Sequence, residues 1–285
     1  MDIKRVAVIG AGIMGRGVAE VLAAAGISVV LIDRKDDVLR QSRDQLQDDL
    51  RIRALIRQSE ITAQEPEAIM ERIEWTTRLD VLTQVDYIVE NVPEVTHVKK
   101  ELYQQIAPYL PESCFIAVNT SCVSITELAA GLHRPERVIG VHFMNPVPLI
   151  PAVEIIRGYH TSADTLNITT SLMERLGKQS IVVNDLPGFV SNRISHLMMN
   201  EAVFVVQDQV ATAWEVDEIF KKCYGHKMGP LETADLIGLD TVKNSLDVLY
   251  KSYQDSKFRC CPLLKKMVDA GLLGRKTGQG FYQYT

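Results

Sequence analysis

Val6, Ala7, Val8 and Ile9 run straight into Gly10, Ala11, Gly12, Ile13, Met14 and Gly15, and this leaves the start of the chain few options. The apolar run reads as a buried strand, and glycines at this spacing carry a strand into a helix through a tight turn. Gly10 makes the turn, Gly12 lets a pyrophosphate approach the backbone, and Gly15 lets the helix lie close to the strand. A second apolar run, Val29, Val30, Leu31 and Ile32, ends in Asp33, eighteen residues after Gly15. Strand, turn, helix, strand and acid in this order form a dinucleotide-binding unit. The free N–H groups and positive dipole end of the helix, near Gly12, Ile13 and Met14, suit a diphosphate. The Asp33 carboxylate accepts hydrogen bonds from ribose hydroxyls and repels a 2′-phosphate. The expected cofactor is therefore NAD rather than NADP. The competing readings are an ordinary glycine-rich turn, and a 2′-phosphate held by Arg34.

Composition narrows the class. At 285 residues the chain can build two cores, and 46% hydrophobic with 24% charged residues describes a soluble globular protein. A net charge of -5 offers no basic surface for nucleic acid. No apolar run approaches the roughly 20 residues that span a bilayer. The first strand begins by Lys4 or Arg5, so no leader peptide is expected. Five cysteines without a CxxC pair fit a reducing cytoplasm.

Strands are expected near 4–9, 28–33, 73–77, 86–91, 114–119 and 137–143, with 152–157 and 180–184 adding to the far edge. Alternation with helical stretches predicts a Rossmann-type doubly wound α/β sheet. The segment 35–72 is too long for a plain crossover and reads as a helical pair broken near Thr62 to Pro66. It serves either a partner or substrate, or is only a solvated hairpin. After Leu186, Pro187 and Gly188 the apolar period becomes helical, as in Ile194, Leu197, Met198, Ala202 and Val205. The expected division is a dinucleotide-binding domain over 1–186 and an all-helical domain over 187–285, whose apolar surface suits a dimer.

Removing hydride from an alcohol carbon requires a base for the hydroxyl proton, near the carboxyl ends of the strands. His142 ends the run Val138, Ile139, Gly140, Val141. Glu154 lies among Ala152, Val153, Ile155 and Ile156, where an unpaired carboxylate is costly. Two readings stand: a buried His–Glu pair that orients the imidazole, or a capping histidine and a solvent-facing glutamate. Asn119, Thr120 and Ser121 follow a strand, while Asn192 and Arg193 open the first long helix after the linker. Either set is site chemistry or simple capping. The other histidines lack metal-ligand spacing, and Ser121 lacks the surroundings of a hydrolase nucleophile. No metal is expected.

These segments resemble the L-3-hydroxyacyl-CoA dehydrogenases, above all the short 3-hydroxybutyryl-CoA dehydrogenases. The resemblance is carried by Val141, His142, Phe143, Met144, Asn145, Pro146, Val147 and Pro148. It extends through Asn119, Thr120 and Ser121; through Pro187, Gly188, Phe189 and Val190 to Asn192 and Arg193; through Met228, Gly229, Pro230 and Leu231 to Asp240; and through Gly274, Arg275, Lys276 and Thr277 to Tyr282. It implies that His142 is the base and Glu154 its partner. Ser121 would bond the substrate hydroxyl and Asn192 the thioester end. Glu94, Lys99, Asn119, Ser121, Asn145 and Lys276 would join the glycine turn and Asp33 around NAD. A homodimer through the helical domain is also implied.

Three departures stand out. No lysine occurs between Lys35 and Lys99, where relatives pair lysines with coenzyme A phosphates, so Arg51, Arg53 and Arg57 are the candidate replacements. Pro151 stands where many relatives have lysine, and Cys122 where a second serine is usual. The thioester handle is thus either coenzyme A or an acyl carrier protein, as in relatives that oxidise glyceryl-type units for polyketide synthesis. A different class of reading is an NAD-binding protein that has lost turnover.

Overall fold

The computed structural model describes residues 3–56 and 66–284, so Arg57 lies outside the described residues. Two compact units divide the chain, Met1–Asp185 and Leu186–Thr285.

The first unit is built on eight strands: β1 Arg5–Ile9, β2 Ser28–Ile32, β3 Ile73–Thr76, β4 Tyr87–Glu90, β5 Phe115–Val118, β6 Val138–Phe143, β7 Ala152–Arg157 and β8 Gln179–Asn184. Their order in the sheet is β3-β2-β1-β4-β5-β6-β7-β8, the doubly wound arrangement that the alternation of strands and helices predicts. The helices of this unit are α1 Ile13–Ala24, α2 Asp36–Ile56, α3 Pro66–Glu71, α4 Thr96–Ile106, α5 Ile125–Ala129 and α6 Ala163–Arg175. Val6, Val8, Val29 and Leu31 of the sheet pack with Val18 and Leu22 of α1 and with Leu39 and Leu46 of α2, all buried.

Every neighbouring pair runs parallel except β6 and β7, which are antiparallel. The link from Phe143 to Ala152 is only eight residues, too short for the crossover that a parallel pair needs. This reversal has a direct chemical consequence. It makes His142 and Glu154 cross-strand partners, with both side chains on one face of the sheet.

The second unit is helical: α7 Ser191–Gln207, α8 Ala213–Tyr224, α9 Pro230–Ile237, α10 Leu239–Tyr253 and α11 Pro262–Asp269. Met199, Val203, Leu231, Leu239, Val242, Leu246 and Leu264 form its core. Two buried aspartates clasp the end of the chain. Asp217 accepts the Leu231 and Glu232 N–H groups (2.9 and 2.8 Å) and the Tyr282 hydroxyl (2.7 Å). Asp235 accepts the Phe281 and Tyr282 N–H groups and the Tyr284 hydroxyl, each at 3.0 Å. A Cβ on Gly280 would lie 2.0 Å from the Asp235 carboxylate, so only glycine permits that approach. The motifs at 228–231 and 278–282 thus have a structural job. Among the described residues no helix is long and apolar enough to cross a membrane.

Candidate active site

The glycine turn opens where the carboxyl ends of β1 and β4 lie side by side. Gly10 adopts φ 102°, and a Cβ there would meet the Asn91 carbonyl oxygen at 2.6 Å. At Gly15 a Cβ would lie 1.8 Å from the Gly10 oxygen. At Gly12 it would meet nothing within 4 Å, and the exposed residue caps α1 with no side-chain bond to the helix N–H groups. Ile13 is exposed and Met14 half-buried at the same helix start. The turn is thus closed where backbone meets backbone and open where a diphosphate would approach, so these residues fit NAD. Asp33, just past β2, accepts the Ala11 N–H (2.9 Å) and the Lys35 N–H (3.2 Å). Those bonds fix its carboxylate beside the turn and leave lone pairs for a ribose.

Four strands away along the sheet, the His142 Nδ1 and Glu154 Oε2 atoms are 2.8 Å apart. Both residues are buried, at 5% and 7% exposure. An ionised carboxylate only accepts, so Glu154 puts the imidazole proton on Nδ1 and leaves Nε2 with its lone pair. The Ser121 hydroxyl lies 3.2 Å from that Nε2. Ser121 is itself set by Glu94, whose Oε1 accepts the Ser121 and Cys122 N–H groups (2.8 and 2.9 Å) and the Thr120 hydroxyl. Asn119, two residues earlier, accepts the Phe143 N–H through its side-chain oxygen at 3.2 Å.

Behind Glu94 lies an ion pair that sequence reasoning missed. The Lys99 ammonium donates to both oxygens of Glu90 (2.8 and 3.0 Å), to the Asn119 carbonyl (3.3 Å) and to the Val92 carbonyl (3.4 Å). The Tyr103 hydroxyl and the Val92 N–H also donate to Glu90, at 3.0 and 2.7 Å. Glu90 and Lys99 are both fully buried. Burial raises the Glu90 carboxyl above its ordinary value despite the pull of Lys99. Lys99 therefore spends its donors beneath the site, and Glu94 is 3.9 Å from its ammonium. A signal for Glu90 existed: a carboxylate closing the apolar run Tyr87, Ile88, Val89 needs a partner, as Glu154 does.

In the loop after β6, exposed Asn145 is joined to Pro146 by a cis peptide. The loop's next turn lies against α1, since a Cβ on Gly17 would touch Val147 at 3.0 Å. The Lys178 ammonium donates to the Val147 and Ile150 carbonyls (2.6 and 2.8 Å), and burial lowers its pKa. On α2, Arg51 is exposed, whereas Arg53 pairs with Glu20 of α1 at 2.5 Å, and Asp49 lies 3.5 Å from Arg16. Of the arginines expected to meet a ligand, Arg53 is thus a strut between helices. In the second unit, Asn192 lies in the first turn of α7, and its carbonyl accepts a hydrogen bond from His196 Nδ1 at 2.9 Å. Lys276 donates to both carboxylate oxygens of Asp240. Among the described residues no group of histidine, cysteine and carboxylate side chains could hold a metal ion.

Residues 5–186 match the NAD binding domain of 3-hydroxyacyl-CoA dehydrogenase, and residues 188–284 match its C-terminal domain. The chain belongs to the 3-hydroxyacyl-CoA dehydrogenase family. It is an NAD-dependent oxidoreductase of that family. A probable 3-hydroxybutyryl-CoA dehydrogenase of Deinococcus radiodurans is 44% identical, over 97% of this chain and 99% of its own. The 3-hydroxybutyryl-CoA dehydrogenase of Bradyrhizobium diazoefficiens is 42% identical, over 99% of this chain and 96% of its own. The crystal structure of (S)-3-hydroxybutyryl-CoA dehydrogenase from Ralstonia eutropha superposes with a TM-score of 0.94 at 40% identity and full coverage of both chains.

Proposed function

We propose that this dehydrogenase interconverts a 3-hydroxyacyl-CoA and its 3-oxoacyl form, with a short acyl chain such as 3-hydroxybutyryl. The observation that carries the reading is the chain Glu154–His142–Ser121, with contacts of 2.8 and 3.2 Å in a largely buried setting. NAD held by the glycine turn and Asp33 would supply the two-electron acceptor for the hydride of the carbinol carbon. His142 Nε2 takes the hydroxyl proton, so the alcohol becomes a ketone without passing through a protonated carbonyl. Glu154 holds the ring in the competent tautomer and stabilises the imidazolium that results. Ser121 bonds the substrate hydroxyl and aligns it with Nε2. In the reverse direction the imidazolium returns its proton to the developing alkoxide.

The family resemblance adds Asn192 for the thioester end, with Asn145 and Lys276 for the cofactor, and a homodimer through the helical unit. Coenzyme A is preferred over an acyl carrier protein because the relatives that match over the whole chain are named for coenzyme A substrates. The decisive measurement is turnover of 3-hydroxybutyryl-CoA with NAD by His142→Gln. Near-wild-type turnover in that variant would remove His142 as the base. Faster oxidation of a carrier-bound substrate than of its coenzyme A counterpart would transfer the reading to the carrier protein.

A further inference from the structure

We infer that Asn91 is a positioning residue for the reaction, linking the glycine turn to the strand that carries His142. The inference rests on the reading of His142 as the base.

The link begins where β5 stops. Backbone pairing between β5 and β6 ends at Val118 and Gly140, yet β6 runs on to Phe143. From there β6 is held on one side by β7 alone, and the Phe143 N–H needs an acceptor on the other. Asn119 supplies it from its side chain: Oδ1 accepts the Phe143 N–H at 3.2 Å. That bond settles which way the amide faces, because a backbone N–H can only donate. The Asn119 Nδ2 group is thereby turned to Asn91, whose Oδ1 accepts from it at 2.7 Å. The Asn91 Nδ2 group then donates to the Val89 carbonyl at 3.0 Å.

Asn91 is also fixed to the cofactor turn. Its own N–H donates to the Ile9 carbonyl at 2.7 Å, and its carbonyl lies against Gly10. Its Cβ is 3.5 Å from where a Cβ on Gly15 would stand. One chain of contacts therefore crosses the carboxyl ends of β1, β4, β5 and β6. It starts at the turn that binds the cofactor and ends at the residue next to His142. Hydride and proton leave adjacent atoms of one substrate, so the distance between turn and imidazole has to be held, and errors near 1 Å can cost about a hundredfold in rate. Asn119 is half of the device, and Asn91 orients it without needing to touch the substrate.

The test is steady-state kinetics of Asn91→Ala, Asn119→Ala, the double variant and Asn91→Asp, with 3-hydroxybutyryl-CoA and NAD. Asn91→Ala keeps the backbone and Cβ that meet the turn. It is expected to lower kcat about tenfold while both KM values stay within about twofold. The double variant is expected to fall no further than Asn119→Ala, since Asn91 acts through Asn119. Asn91→Asp, which keeps the acceptor for Asn119, is expected to return kcat to within about threefold of wild type. Additive losses in the double variant overturn the inference. So does unchanged kcat, or a rise in the KM for NAD alone. His142→Gln, assayed alongside, separates the two levels: if it is inactive while Asn91→Ala is unaffected, only the link through Asn91 fails. If His142→Gln remains active, the base assignment fails and takes this inference with it.

Discussion

His142 and Glu154 meet as cross-strand partners of the single antiparallel pair in the sheet, imidazole to carboxylate at 2.8 Å. Twelve residues separate them in the chain, and the contact exists because the short link after Phe143 turns β7 back on β6. The pair is therefore a product of topology as much as of composition. It puts an acceptor-only group on Nδ1, which is what a base working through Nε2 requires.

Replacing Glu154 by Gln tests that relation directly. The amide is nearly isosteric, but it no longer demands a proton on Nδ1, so the imidazole loses its fixed tautomer. We expect kcat to fall by roughly 10²–10⁴-fold while KM for the thioester changes by less than about threefold. Steady-state rates of 3-hydroxybutyryl-CoA oxidation decide it. A KM effect with kcat intact would mean that Glu154 shapes binding rather than proton transfer.

The Glu90–Lys99 pair predicts a stability effect with a pH signature. Lys99→Met leaves a fully buried carboxylate without its cation, a loss of about 3–5 kcal/mol. Burial already raises the Glu90 carboxyl in the intact protein, and the variant removes the main opposing attraction. An acid whose folded pKa is raised binds protons more readily in the folded state, so stability grows as pH falls through that value. Urea denaturation should show the variant recovering part of its deficit between neutral and mildly acidic pH. A deficit independent of pH would assign the loss to packing instead.

Much of this was legible in the sequence, for identifiable reasons. Most strands are short runs containing β-branched residues and ended by a polar or glycine residue, and the expected segments coincide with β1 to β8 to within a residue or two at their ends. The glycine turn carries its own steric logic. What stayed hidden depends on contacts between segments far apart in the chain. Glu90 had a readable signal in its apolar surroundings, but Asn91 had none, because a polar residue in a loop looks the same whether or not another amide faces it. Arg53 was expected to meet a ligand phosphate, and nothing in its own segment reveals that Glu20, thirty-three residues earlier, takes its charge. The antiparallel turn of β7 was implicit in the length of the link, although its residues look like those of any parallel strand.

Glu20 offers a second pH test, on the helix that follows the glycine turn. The residue is 8% exposed, and burial raises its carboxyl pKa further than Arg53 lowers it. The folded state thus prefers Glu20 protonated more than the unfolded chain does, and the site's contribution to stability improves as pH falls toward 4.5. Glu20→Gln should be tolerated at neutral pH, because the half-buried Arg53 can turn to solvent. It should also flatten the dependence of melting temperature on pH relative to wild type. The comparison needs both proteins melted across the same range, and parallel curves would refute it.

The glycine turn yields the sharpest separation between folding and binding. At Gly15 an added methyl would stand 1.8 Å from the Gly10 oxygen, so Gly15→Ala must push α1 away from β1. Melting temperature and NAD affinity should fall together. At Gly12 the methyl would meet no protein atom within 4 Å, and the only local cost is a poorer helix cap, at most about 1 kcal/mol. Yet that open space is where the diphosphate must come close to the backbone. Gly12→Ala should therefore keep a nearly wild-type melting temperature while its Kd for NADH, followed by fluorescence titration, rises at least about tenfold, equivalent to about 1.4 kcal/mol. Wild-type affinity in Gly12→Ala would show that the cofactor does not pass over this turn, and would remove the first half of the hydride-transfer site.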